Sequence, residues 1–412
     1  MNYAAHISTL RSHNCIIPRI NSRLTHNYLF TPINPINYAI PRSRFTFLQY
    51  SHPNNQINTQ IYNNSFDFIF MQSYNVLYKL KQDGDDGMIK LPLSALNIEE
   101  KIEKSLKGRD FLTLLDFTTE EITYLLHKAY VMKQEATKGN LPPALAGKTL
   151  GMIFEKHSTR TRISFEVGMI QLGGHAMFMN AKDLQIGRGE SVYDTGHVLS
   201  EYLDGVMIRA NSHEMVKELA KHTSVPVING LTDLFHPCQA MADLLTMIEC
   251  KGAIAGLKLA YVGDGNNVAH SLIIGAAHMG MHVAVATPAG YECNGEIVVK
   301  AKELASHNGG SIVETNDPIE AVIDADIVYT DVWTSMGQED ETEKRLQDFA
   351  GFQINDELIV HAKSDFVFLH CLPAHREEEV SASVIDGPNS FVFQQAGNRL
   401  HAQKAILAAV IE

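Results

Sequence analysis

The sequence contains no run of about 18 consecutive apolar residues, which excludes an ordinary membrane-spanning helix. Cysteine is scarce: there are five, at positions 15, 238, 250, 293 and 371, an odd number with no Cys-x-x-Cys pair. That spacing excludes a disulfide framework and suggests free thiols in a reducing compartment. Positive charge is in deficit, with 34 Lys and Arg against 47 Asp and Glu and a formal net charge of -13. An acidic chain without a basic cluster is a poor nucleic-acid binder. Asp, Glu and Lys are missing altogether from residues 1–66, which carry five arginines, eleven asparagines and five prolines. Runs such as Thr31-Pro-Ile-Asn-Pro-Ile-Asn37 have neither a helical nor a strand period.

Residues 1–107 therefore read as a largely disordered N-terminal extension, with order expected from near Gly108. Three origins fit the first 66 residues. An Arg-bearing, Ser-containing, acid-free start has the composition of an organelle transit peptide, which would place the protein in the mitochondrial matrix. A disordered appendage, or sequence upstream of a start at Met88, leaves a cytoplasmic protein.

A chain of 412 residues with 45% hydrophobic content is too long for one ordinary core. Thr118-Thr-Glu-Glu121 fits a capping box, and Ile122, Leu125 and Leu126 continue it as an apolar helical stripe. Lys148–Phe154 reads as a strand and Arg162–Leu172 as a helix. Gly205–Arg209 and Val225–Asn229 are short apolar runs with helical segments between them. A second series follows the Gly252–Gly256 region, with strands expected at Leu257–Val262, His282–Thr287, Ala325–Thr330 and Asp365–His370. Alternation of this kind predicts an α/β protein made of two doubly wound parallel-sheet domains linked by helices. The expected bounds are 108–245 and 246–412, with a C-terminal helix from about Leu400 to Val410 returning to the first domain.

His157-Ser-Thr-Arg-Thr-Arg162 lies between a predicted strand and a predicted helix. Hydroxyls, free amides and guanidiniums at a helix N-terminus suit an anion, although an ordinary cap with solvated arginines has the same composition. Arg209, His236-Pro-Cys-Gln239 and the loop Gln185-Ile-Gly-Arg-Gly-Glu190 lie where this architecture puts ligands, at or after the C-terminal ends of strands. Each alone is also an ordinary surface residue, cap or turn.

Four motifs, in order, resemble the signatures of the ornithine carbamoyltransferases. They are Ser158-Thr-Arg-Thr-Arg162, His236-Pro-Cys-Gln239, Asp331-Val-Trp-Thr-Ser-Met-Gly337 and His370-Cys-Leu-Pro373. The resemblance covers about residues 108–412. It implies a carbamoyl phosphate site formed by Ser158, Thr159, Arg160, Thr161, Gln185, Arg209, His236, Pro237, Cys238, Gln239, Cys371, Leu372 and Arg399. It implies an ornithine site formed by Asn267, Asp331, Ser335 and Met336, and catalytic roles for Arg160, His236, Cys371 and Arg399. It further implies a homotrimer with active sites at subunit borders, no cofactor and no metal. Arg188 stands where aspartate carbamoyltransferases usually carry lysine, and Gly397 where some members carry Glu.

The chemistry so implied is direct attack by a neutral δ-amine on the carbamoyl carbon. An amine with a pKa near 10 is only about 0.1% deprotonated at neutral pH, so the site must select or create that form. Oxyanion charge would fall to Arg160, His236 and Arg399. The loop at Ser335-Met-Gly337 is placed to close over the amino acid, while the run Glu339–Glu343 reads as a solvated surface.

Other classes are discriminated by particular residues. Gly263-Asp-Gly-Asn-Asn267 after a strand suggests a dinucleotide fold, but Val268 stands where the fingerprint needs its third glycine. His236, Cys238, His370 and Cys371 match no common zinc spacing. A non-catalytic binding paralogue would be expected to lose Arg160, His236, Cys371 or Arg399. A putrescine carbamoyltransferase would not need the Asp331/Ser335/Met336 set.

Overall fold

The computed structural model describes residues 68–71, 76–79 and 93–412, apart from Gly187 and Met336. The transit-type segment, Cys15 and the alternative start at Met88 lie outside the described residues. Strands β1 (Phe68–Met71) and β2 (Val76–Lys79) pair antiparallel. A helix spans Leu93–Leu106 and packs on the helices Thr119–Thr137 and Val392–Val410, with Leu106 fully buried. Helical order thus starts ahead of Gly108. The local reason is the four-residue spacing of Ile102 and Leu106, which puts both on one helical face.

Two parallel sheets follow. Strands β3 (Thr149–Phe154), β4 (His175–Asn180), β5 (Gly205–Arg209) and β6 (Val227–Leu231) lie in the order β4-β3-β5-β6. The second sheet contains β7 (Lys258–Val262), β8 (His282–Ala286), β9 (Ser311–Thr315), β10 (Ile327–Thr330) and β11 (Val367–His370). Its order is β11-β10-β7-β8-β9, again all parallel. In each sheet the chain winds outward from its first strand in both directions. The order reverses between β3 and β5 and between β7 and β10, and crevices at such points receive ligands.

The sequence reading missed β4 and β9, both edge strands. β4 does carry an apolar run, Ala176–Met179, but its faces are only partly covered, while β9 has just Ile312 and Val313 among polar residues. Met177 and Phe178 of β4 are exposed, and only Ile312 of β9 is buried. The capping box is present: the Thr118 hydroxyl accepts from Glu121 N, and the Glu121 carboxylate accepts from Thr118 N at 2.9 Å.

The boundary expected at 245–246 falls inside a continuous helix, Pro237–Lys251, which ends at Gly252 with φ of 75°. This helix and the C-terminal helix Val392–Val410 form the spine between the sheets. The C-terminal helix begins eight residues earlier than expected and packs on the helices Thr119–Thr137, Thr159–Gln171 and Pro237–Lys251 of the first domain. One apolar core runs through both domains from Leu106 to Ile411. Among the described residues no helix is long and apolar enough to cross a membrane.

Candidate active site

The candidate residues occupy the C-terminal ends of strands. After β3, Ser158 caps the helix Thr159–Gln171 by accepting from Thr161 N at 3.2 Å, which starts the helix and leaves Thr159 and Arg160 in its first turn. Arg209 is the last residue of β5 and is buried. His236 precedes Pro237, whose fixed φ suits the first position of the connecting helix. Asp331 follows β10 directly, and Cys371 follows β11.

Three guanidiniums converge. Arg399 is almost completely buried; it donates to Gln239 Oε1 at 2.7 Å and to Thr161 Oγ1 at 3.2 Å. Burial, followed by the charges of Arg399 and Arg160, brings Arg209 down to about 10. Burial also lowers Arg160, while Cys371 and Asp331 push the other way. His236 is held well below the usual imidazole range by burial and then by Arg399, Arg209 and Arg160, so it is neutral at physiological pH. Its Nδ1 is buried without a protein partner, and its backbone N–H donates to Ser271 Oγ at 2.7 Å. Like charges facing one another around neutral donors make a field that favours an anion.

Arg160 joins this cluster to the second domain by donating to the carbonyl of Leu372. Leu372 has a φ of 58°, a conformation uncommon for a side chain of its size. Beside it the Cys371 thiol donates to Asp331 Oδ1 at 2.8 Å. Burial, then the charge and hydrogen bond of Asp331, holds the thiol well above its usual range. Asp331 also accepts from Val332 N and from Asn266 Nδ2, each at 2.8 Å. The ring nitrogens of His370 are engaged by groups other than the thiol. Its Nδ1 accepts from Leu372 N at 2.9 Å, so Nε2 carries the proton and faces Glu379 Oε1 at 3.1 Å. The ligand atoms of Asp331, His370 and Cys371 lie within 4.8 Å of one another, but these hydrogen bonds already engage them.

The remaining candidates are distributed unevenly. Asn267 opens the helix Asn267–His278 and donates to the carbonyl of Thr232, before the His236 turn. Cys238 is buried, and its thiol donates to Asn229 O at 3.4 Å. Gln185 lies exposed in its loop, where its carbonyl accepts from Arg188 N. Ser335 is half-buried and closes a turn with Gln338; Met336 lies outside the described residues.

Residues 109–249 match the family described as aspartate/ornithine carbamoyltransferase, carbamoyl-P binding domain. Residues 255–410 match its Asp/Orn binding domain. The chain belongs to the aspartate/ornithine carbamoyltransferase family. It is 61% identical over 306 residues to the ornithine carbamoyltransferase of Anoxybacillus flavithermus, covering 74% of this chain and 98% of the relative. It is 59% identical over 309 residues to that of Bacillus subtilis, covering 75% and 96%. Among solved structures, the ornithine carbamoyltransferase from Pyrococcus furiosus superposes with a TM-score of 0.73 at 56% identity, covering 74% of this chain and 98% of that one. One family match ends at 249 and the other begins at 255, on either side of the last residue of the connecting helix, Lys251.

Within this carbamoyltransferase framework, Gly265 has a packing role. A Cβ there would lie 2.4 Å from Cys293 N, and Asn266 already accepts from Val268 N and Ala269 N at the helix start. The loop therefore packs on Tyr291–Cys293 and offers no glycine cradle for a pyrophosphate. Space is open at Gly397, and Arg399 is fixed by Gln239 and Thr161 without help from position 397.

Two groups of residues escaped the sequence reading. Arg345 is buried and donates to Asp264 Oδ2 at 3.0 Å, Trp333 O at 2.9 Å and Glu341 Oε2 at 2.9 Å. It thereby ties the Trp333–Glu341 loop to the end of β7, and the charged run forms a short 3-10 turn and the helix Thr342–Asp348. The second group is a buried network around Asp243, with Gln395 and Tyr329. Its signal was the four-residue spacing of Gln239 and Asp243 on one helix, and of Gln395 and Arg399 on another.

Proposed function

We propose that the chain transfers the carbamoyl group of carbamoyl phosphate to the δ-amine of L-ornithine, giving L-citrulline and phosphate. The observation that carries this reading is the junction of two unlike half-sites. An arginine cluster suited to a phosphate (Arg160, Arg209, Arg399) meets an acid–thiol pair suited to a cationic amine (Asp331, Cys371). The names of the relatives supply the substrates that such a pair of half-sites would hold.

In this reading Ser158, Thr159, Arg160, Thr161 and Arg209 bind the phosphate, with Gln185, His236, Pro237, Cys238, Gln239, Cys371, Leu372 and Arg399 around the rest of the donor. Asn267, Asp331, Ser335 and Met336 bind ornithine. The neutral δ-nitrogen adds to the carbamoyl carbon, and the oxygen gains negative charge that Arg160, His236 and Arg399 stabilise. A neutral imidazole still offers one N–H for this purpose. The C–O bond to phosphate then breaks, the nitrogen loses a proton, and phosphate leaves on the arginine cluster. Closure of the Ser335 loop excludes water, which would otherwise compete for the carbamoyl group. No covalent enzyme intermediate is needed, because Cys371 is held as a thiol against a carboxylate.

We assign the protein to arginine biosynthesis in the cytoplasm, acting as a homotrimer without a nucleic-acid or membrane partner. Exposed apolar residues on the first domain, Ile163, Ile170, Met177, Phe178, Tyr193 and Tyr202, support self-association there. The four cysteines described are all free, in keeping with a reducing compartment. The experiment is a citrulline-formation assay with ornithine and putrescine side by side. The expected result is carbamoylation of ornithine, with putrescine a poor acceptor; preference for putrescine would overturn the substrate assignment.

A further inference from the structure

Asp243 is a carboxylate in the interior of the spine, fully buried on the connecting helix Pro237–Lys251 and without an ion-pair partner among its described contacts. It receives three hydrogen bonds. Gln239 Nε2 donates to Oδ1 at 2.7 Å, Gln395 Nε2 to the same oxygen at 2.5 Å, and the Tyr329 hydroxyl to Oδ2 at 3.2 Å. The Tyr329 hydroxyl in turn accepts from Gln395 Nε2 at 3.2 Å. Four elements of the fold therefore meet at one carboxylate: the connecting helix, β10, the C-terminal helix and, one bond further, the end of β11.

The chemistry of the carboxylate sets the direction of everything attached to it. Oδ1 accepts from both glutamines in the ionised carboxylate and equally in the acid when the proton sits on Oδ2, so both glutamines turn their NH2 groups toward it. Their carbonyl oxygens must then face away. The Gln239 oxygen accepts from Arg399 Nη1 at 2.7 Å, and Arg399 reaches Thr161 in the anion cluster. The Gln395 oxygen accepts from His370 N at 3.2 Å, at the start of the turn that carries Cys371 and Leu372. A glutamine free to flip would present NH2 to a guanidinium or to a backbone N–H, donor against donor.

We infer that Asp243 is a positioning residue for carbamoyl transfer: by fixing the amide polarity of Gln239 and Gln395, it aims Arg399 in one half-site and the His370–Leu372 turn in the other. This rests on the proposed transfer reaction, in which both half-sites must hold their groups in register at the carbamoyl carbon. Asp243 touches no reacting atom; it acts through the two glutamines. The carboxylate is placed where one group can hold both halves at once, which neither Gln239 nor Gln395 can do.

The test compares Asp243→Asn, Asp243→Ala and Gln395→Met in the full chain. Asn keeps an acceptor oxygen, so the amide polarity survives and kcat should fall by no more than about tenfold. Ala removes the acceptor, and kcat should fall by about a hundredfold, as for a small misplacement of reacting groups. Inorganic phosphate titrated into Asp243→Ala should also bind more weakly, because Arg399 loses its orientation. Gln395→Met breaks only the branch to His370: kcat should fall by about tenfold with phosphate affinity unchanged. If Asp243→Ala does not fold, the Gln395→Met split decides. Folded Asp243→Ala with wild-type kcat and phosphate affinity, equal loss in Asp243→Asn and Asp243→Ala, or Gln395→Met with unchanged kcat would each overturn the assignment. Phosphate titration does not depend on turnover, so a wild-type chain that makes no citrulline would reject the transfer reading while the polarity of the Arg399 branch is still read.

Discussion

The thiol of Cys371 and the carboxylate of Asp331 are joined by a 2.8 Å hydrogen bond in which sulfur donates. The partner of the thiol is thus an anion that discourages thiolate formation, and the adjacent His370 has both ring nitrogens committed to Leu372 N and Glu379. A cysteine nucleophile needs the opposite arrangement, a base or a positive field that lowers its pKa.

Cys371→Ser should therefore keep measurable turnover. The hydroxyl can still donate to Asp331, and one net hydrogen bond is worth about 0.5–1.5 kcal/mol, so the loss should stay near tenfold. Acid-quenched wild-type reactions with labelled carbamoyl phosphate should leave the protein unlabelled. A carbamoyl group trapped on Cys371 would contradict direct attack.

Arg160→Ala removes a guanidinium from the anion cluster and also its bond to Leu372 O. Turnover should be abolished and carbamoyl phosphate affinity should fall by roughly 1.5–3 kcal/mol, the range for a charged hydrogen bond. Calorimetric titration of carbamoyl phosphate checks this, with unchanged affinity in the folded variant removing Arg160 from the phosphate site.

Deleting residues 1–87 should leave kcat and thermal midpoint unchanged. The Anoxybacillus flavithermus relative, aligned over 306 residues, is covered to 98% of its own length, and the family match begins at residue 109. Deleting to residue 107 has a different expected outcome, because it removes the helix Leu93–Leu106 and the buried Leu106. Burial of one such side chain is worth about 1.5–3 kcal/mol, so the longer deletion should lower the midpoint. Equal behaviour of the two truncations would argue against that helix belonging to the fold.

Burial pushes the Asp243 carboxyl up to about 7, with the hydrogen bonds of Gln395 and Gln239 opposing it. The folded state then binds the proton more tightly than the unfolded chain, where the carboxyl titrates near about 4. The resulting stability is fully present below that unfolded value and is lost as pH rises through about 7. Urea unfolding at fixed protein concentration should show wild-type stability falling relative to Asp243→Asn across this window. Parallel curves for the two proteins would contradict the elevated titration.

Much of this arrangement was legible in the sequence because its signals are local. The capping box at Thr118, the strand β5 and the motif residues around Arg160, His236 and Cys371 all announce themselves within a few positions. Edge strand β9 did not, with only Ile312 and Val313 apolar, whereas β4 carried a legible apolar run at Ala176–Met179. The Asp243 network was hidden for another reason. Gln239, Tyr329 and Gln395 are far apart in the chain, and nothing in a single polar side chain announces that it will be buried with the others. The helix Leu93–Leu106 was less legible because Glu99, Glu100, Lys101, Glu103 and Lys104 crowd its second half and leave few apolar positions.

The central claim, that a phosphate half-site and an amino-acid half-site meet at the Arg160–Leu372 contact, is tested most directly with Asp331→Asn. Asn keeps the shape of the side chain and removes its charge, so a cationic amine should lose a partner while the arginine cluster keeps its field. Carbamoyl phosphate is titrated alone, and norvaline, which has the α-amino-acid head without the δ-amine, is titrated into the complex. The account predicts near wild-type carbamoyl phosphate affinity and norvaline binding weakened by roughly 1.5–3 kcal/mol. Norvaline binding unchanged while ornithine binding is lost would move Asp331 to the δ-amine, and an equal loss of carbamoyl phosphate binding would contradict the division of the site into two halves.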